Sequence, residues 1–141
     1  MKLQLGELRL IMDGLPKVIQ EKLPVKTSYW LQRALRDISK EFMTFEQTRQ
    51  KLINEHGKRY EKDKKDKKGQ VIEKKGELII KGNQFIMKDQ KAFDKDYEEL
   101  AEQEIEIKFE PIPIEKFEDK EGKTLLKGID LMNLGRLIKE E

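Results

Sequence analysis

The sequence predicts an α+β fold: a helical hairpin with one long helix, a small mainly antiparallel sheet, and short C-terminal helices. Three observations predict it. Apolar residues recur at steps of three and four through the first third of the chain. Short β-favouring runs separated by glycine follow at 71–87, and the segment "EIEIKFE" alternates apolar and charged residues. Periods of 3.6 and 2 are the signatures of a half-buried helix and a half-buried strand.

The elements follow in order. "KLQL" reads as a short strand, and Leu8, Ile11, Met12, Leu15, Val18 and Ile19 form one helical stripe. Pro16 lacks a backbone donor, so a kink or two short helices are expected near Gly14. Leu31, Leu35, Ile38, Phe42, Phe45, Leu52 and Ile53 then mark the long helix, with Thr27 or Ser28 placed as its cap and Gly57 as its stop. Some thirty residues at 1.5 Å each make it about 45 Å long. Its first half is expected to pack antiparallel against the first helix, and its second half to project.

Val71-Ile72, Leu78-Ile80 and Phe85-Met87 read as a small hairpin or meander. Asp89 is placed to cap a helix faced by Phe93, Tyr97, Leu100 and Ala101. Ile105, Ile107 and Phe109 point inward along the next strand, and "PIPI" forces an extended segment after it. Asp130 caps a last helix with the stripe Leu131, Leu134, Leu137 and Ile138.

The chain of 141 residues suits one domain. Its parts are a helical hairpin at 1–57, a charged loop at 58–69 and a small α+β part at 70–141. Charged residues make up 41% and apolar residues 36%, so the core must be modest and much of the chain must face water. Thirty basic and 28 acidic residues nearly cancel, so global charge does not mark a nucleic-acid binder. The absence of cysteine excludes disulfides and thiolate chemistry and suits a reducing interior. "MKLQLGELRL" lacks a signal-peptide core, and no run reaches the roughly 18 apolar residues of a membrane span. A soluble, intracellular protein is expected, with no membrane partner.

Few residues offer chemistry. "EGKT" resembles the end of a phosphate-binding loop, but Phe117 stands where the first glycine is needed, so "FEDKEGK" reads as an Asp/Gly turn. The lone histidine, His56, has only Glu55 beside it and reads as a helix-end residue. Asp94 and Glu98 share a helix face but lack the glycine turn of a hard-cation site, and read as solvated surface. No catalytic, cofactor-binding or metal-binding residues are assigned, and no cofactor is expected. Trp30 and Tyr29 are adjacent on a helix and cannot both face one stripe, so one ring is expected to stay partly exposed or to cover the joint with the first helix, and core packing under the "LPVKTSYW" corner is favoured over an exposed partner contact.

Charge is unevenly placed. From Lys58 to Lys75 nine basic and four acidic residues give +5, whereas from Phe93 to Glu121 twelve acidic and four basic residues give −8. Glu61, Asp63 and Asp66 break the lysine run, and Tyr60 is its one ring. That pattern describes a hydrated loop better than a nucleic-acid arm.

"LPVKTSYWLQRALRDISKEFMTFEQTRQKLINEHG", "FDKDYEELAEQEIEIKFEPIPIE" and "IDLMNLGRLI" resemble small proteins of tailed bacteriophages and their prophages, over residues 23–138. The resemblance carries no catalytic residues. It implies a phage-type accessory or virion-associated protein, acting in the host cytoplasm or on the virion.

The expected function is therefore a non-enzymatic protein-interaction module that binds a protein partner or self-associates through the long helix. Trp30, Phe42, Phe45, Leu52 and Ile53 are the expected contacts. The alternatives are a nucleic-acid-binding accessory protein with Lys58, Arg59, Lys62, Lys64, Lys65, Lys67 and Lys68 on phosphates, and an acidic inhibitor of a host defence protein. Nucleic acid ranks behind protein as a partner.

Overall fold

The computed structural model describes residues 1–119 and 121–139. The fold is α+β, with one long helix and small, mostly antiparallel two-stranded sheets. The chain gathers into two compact units, Met1–Phe45 with Leu100–Glu141, and Glu46–Glu99. The chain length suits one domain, with parts bounded at 57 and 69. The boundaries between these two units fall inside two helices, where no change of composition marks them.

The first unit begins with β1 (Lys2–Gln4), whose Leu3 is buried. A short 3-10 turn leads into α1 (Leu8–Ile19). This helix is continuous through Gly14 and Pro16, so the expected break does not occur. Gly14 serves packing instead. A β-carbon there would lie 2.6 Å from that of Asn133, on α4 (Gly128–Leu134), so α1 and α4 cross at close range.

α2 (Val25–His56) holds 32 residues. Its start differs from the expected cap. Pro24 precedes it and offers its carbonyl to the Ser28 N–H at 3.0 Å. Thr27 lies inside the first turn, buried, and its hydroxyl donates to the Lys116 carbonyl at 3.2 Å. α2 touches α1 where the Ser39 hydroxyl lies 3.9 Å from Met12 Sδ.

β6 (Glu104–Glu106) pairs antiparallel with β1, Leu3 opposite Ile105. The expected alternation holds beyond the strand itself, with Ile107 and Phe109 buried and Glu104, Glu106 and Lys108 exposed. The "PIPI" segment supplies β7 (Ile112–Pro113), which pairs in parallel with β8 (Ile138–Lys139). A 3-10 turn, Ile114–Phe117, then buries Phe117 completely.

The predicted Asp/Gly turn follows. Asp119 Oδ1 accepts the N–H groups of Glu121 and Lys123, both at 2.9 Å, and Gly122 has φ +81°. Asp130 is the third residue of α4 rather than its cap, and its carboxylate accepts the Lys127 N–H at 2.8 Å. Gly135, at φ +48°, ends that helix, so Leu137 and Ile138 leave the expected helical stripe and enter a 3-10 turn and β8. They remain buried in the same core as Leu8, Leu15, Leu31, Ile38 and Leu134.

The second unit is smaller and drier only in places. Ile53 is its one fully buried large apolar side chain, while Leu78, Phe85, Ile86, Phe93 and Tyr97 are half-buried. The stretch read as a charged loop is in fact tied in by backbone bonds. The Lys58 N–H donates to the Ile86 carbonyl at 2.7 Å, and the Tyr60 N–H to the Glu77 carbonyl at 3.1 Å. β2 (Lys64–Lys65) pairs antiparallel with β3 (Val71–Glu73), and β4 (Ile80–Lys81) with β5 (Gln84–Phe85).

These contacts also cover the end of α2, which therefore does not project bare. Gly57 follows the last helical residue where only glycine fits, because an added β-carbon would meet the Ile53 carbonyl oxygen and Leu78 Cδ2, each at 2.5 Å. α3 (Gln90–Ala101) starts where expected, Asp89 Oδ1 accepting the N–H groups of Lys91 at 3.1 Å and Ala92 at 3.3 Å.

Candidate protein-contact site

The helical period places Tyr29 and Trp30 about 100° apart on α2, with Arg33 three and four residues further on. Arg33 therefore rises over both rings. Its guanidinium carbon lies 5.1 Å from the Trp30 ring centroid and 5.8 Å from that of Tyr29. The two rings meet edge to face at 5.5 Å and 74°. Trp30 is 45% exposed and Tyr29 is 55% exposed, so the cluster is ordered yet open to water. Of the two expectations for this aromatic pair, partial exposure applies, and to both rings.

Beside Trp30 lies a cavity of about 470 Å³, lined otherwise by the backbone-restricted stretch 108–113. Pro111 and Pro113 hold that wall extended and remove two N–H donors from it, leaving an apolar floor with Phe109 and Ile112. Lys108 and Glu110 supply its charged rim. Neither Arg33 nor Lys108 forms an ion pair among the described residues. The site thus combines flat aromatic faces, a mainly apolar recess with two prolines in its wall, and cations free to meet a carboxylate.

The other expected contacts on α2 are placed differently. Phe45 and Ile53 are each 1% exposed, so they serve the protein's own packing and present no surface. Phe42 and Leu52 are half-buried, and the Phe42 ring lies 6.4 Å from that of Phe45. The apolar seam that seemed too long for a small domain is therefore mostly covered. The periodic residues were legible from sequence, but the segments that would cover them were not.

Among the expected phosphate contacts, Lys58, Lys62, Lys64, Lys65, Lys67 and Lys68 are exposed. Arg59 is exposed too, but its Nη1 donates to the Gly76 carbonyl at 2.8 Å, so its fork is partly committed. His56 gains a partner that sequence did not offer: its Nε2 lies 2.7 Å from Asp96 Oδ2. The Phe93 ring stands edge-on to it at 6.0 Å and stacks in turn on Tyr97. Asp94 and Glu98 are exposed, and Asp94 Oδ1 accepts the Gln90 side-chain amide at 2.9 Å. Among the described residues, no three His, Asp or Glu side chains converge as metal ligands, and no helix is long and apolar enough to cross a membrane.

Arg33, Lys108, Pro111 and Pro113 are the site residues that sequence reasoning missed. Arg33 had a signal, its spacing of i+4 from Tyr29 and i+3 from Trp30. The proline wall had none, because it comes from a segment some eighty residues away. Comparison with family models, with curated proteins and with solved structures finds no match to this chain.

Proposed function

We propose that this chain is a non-enzymatic protein-interaction module of the phage-type structural or accessory class, working in the host cytoplasm or on the virion. It receives an extended segment of a partner protein at the Trp30 cluster. The observation that carries this reading is an ordered, half-exposed Tyr29–Trp30–Arg33 cluster beside an apolar recess. Aromatic and arginine side chains dominate binding hot spots because they bury much area with little rotamer loss. The cluster offers stacking faces and donors rather than a nucleophile or general base, so it suits binding rather than bond-making. The free cations Arg33 and Lys108 specify an apolar anchor flanked by a carboxylate.

Panning a displayed random-peptide library on the full chain tests this. Enriched peptides should pair an apolar residue with Asp or Glu. Trp30→Ala should weaken their binding by about 2 kcal/mol, roughly 30-fold, the scale of a hot-spot truncation. Its thermal midpoint should stay near wild type, because an exposed ring contributes little to folding. Peptides that bind Trp30→Ala as tightly as wild type, or no enrichment at all, would rule the site out.

A further inference from the structure

The lysine-rich stretch changes character once folded. β2 and β3 form a two-stranded ribbon closed by a tight turn at 66–70. Asp66 Oδ1 accepts the N–H groups of Lys68 at 2.8 Å and Gln70 at 2.9 Å, and Gly69 takes φ +80°. Lys64, Lys65, Lys67 and Lys68 are exposed along this ribbon, with Lys74 and Lys75 exposed just past it. None of the six forms an ion pair among the described residues.

The acidic residues that interrupt the run act on the backbone. Asp63 Oδ1 accepts the Lys75 N–H at 2.8 Å, and Asp66 holds the turn. Glu73 faces Lys64 across the ribbon in register, but no ion pair joins them. Charge alternation along the chain is thus not charge pairing in space. Val71 and Ile72 add exposed aliphatic surface on the same ribbon, 48% and 58% accessible. At its foot lies a cleft of about 430 Å³ of mixed charge, where Lys58, Arg59, Lys62 and Lys64 stand beside Glu61, Asp63 and Glu73.

We propose that the β2–β3 ribbon is a docking arm for the phosphodiester backbone of duplex nucleic acid. Charge complementarity selects this occupant, because four ammonium groups without ion-pair partners, two on β2 and two in its turn, face solvent together and suit a line of phosphates. A two-stranded ribbon also fits the major groove of a B-form duplex, where one of the two exposed aliphatic side chains, on the face turned to the bases, meets a thymine methyl group. A hairpin already ordered by its own turn loses less entropy on docking than a free loop would. Single strands are a poorer match, since Tyr60 alone is no stacking platform.

Fluorescence anisotropy of a labelled duplex of mixed sequence, titrated with the full chain, tests this. Four phosphate contacts predict that affinity falls on the order of 100-fold between 50 and 200 mM salt. Reversing Lys64, Lys65, Lys67 and Lys68 to glutamate should weaken binding more than 10-fold at 50 mM salt. The milder Lys→Gln set should weaken it in the same direction should the reversed protein lose its native circular dichroism. Reversing the exposed Lys17, Lys22, Lys26 and Lys40 of the first unit should change it less than threefold. The proposal is overturned by no binding at 50 mM salt or by equal losses in both reversed sets. Displacement of the duplex by poly-glutamate at equal charge would also overturn it, marking the ribbon as a contact for acidic proteins.

Discussion

Replacing Phe117 with alanine is expected to destabilise the first unit by about 3–5 kcal/mol, the range for deleting a buried phenyl ring. The ring is fully buried in the cluster that also holds Leu3, Leu8, Leu31 and Leu137. Its surroundings cannot readily collapse into the gap. The Phe117 carbonyl accepts the Leu125 N–H at 2.8 Å, and the preceding Lys116 carbonyl accepts the Thr27 hydroxyl at 3.2 Å. Both anchors hold the turn in place while the cavity opens beneath it. Domains of this size are stable by only about 5–15 kcal/mol, so the loss is a large fraction of the whole. Urea denaturation followed by far-ultraviolet circular dichroism checks it, and a loss below about 1 kcal/mol would contradict the packing.

Gly14→Ala sets two effects against each other. Alanine gains about 1 kcal/mol over glycine in a helix interior. Here its β-carbon would stand 2.6 Å from that of Asn133, whereas carbon atoms pack best near 3.5–4.0 Å. That neighbour is the root of a side chain and cannot swing aside, so α1 and α4 must move apart. Overpacking of this kind costs about 1–3 kcal/mol. Sterics win, and a net destabilisation of about 1–2 kcal/mol is expected. Adding Asn133→Gly frees the space, so the double variant should be more stable than the sum of the two single changes implies. A Gly14→Ala protein more stable than wild type would mean that the helices do not approach so closely.

Helices were legible because their signals are local. The stripes of α1, α2 and α3, the Asp89 cap and the Asp119 turn all depend on residues within a few positions of one another. Strand partners were not. β2 consists of two lysines, and nothing in "KKDKK" favours a strand; its place is set by backbone bonds to residues whose own runs were recognised. Pro16 pointed to a break near Gly14, whereas the role of Gly14 is set by Asn133, over a hundred residues away. At the candidate site the same division holds. Trp30 stood out as the single tryptophan, while the wall beside it is a distant proline segment. Phe45 and Ile53 were correctly read as apolar seam, but sequence could not tell a seam that is covered from one that waits for a partner.

The order in which the two units are written along the chain governs when each can fold. The second is one continuous stretch, Glu46–Glu99, and its pairs are short-range, Lys64 with Glu73 and Ile80 with Phe85. The first needs both chain segments, because Leu3 waits for Ile105 and Ile112 waits for Ile138. Translation at about 5–20 residues per second separates the last residue of the second unit from Ile138 by about 2–8 seconds. Throughout that interval the nascent chain carries Leu8, Ile11, Leu15 and Val18 without Leu134 and Leu137 to cover them. The continuous unit can therefore be complete before the first unit has its last strand and helix, and the α1 stripe is fully covered only once Leu134 and Leu137 have joined the same core.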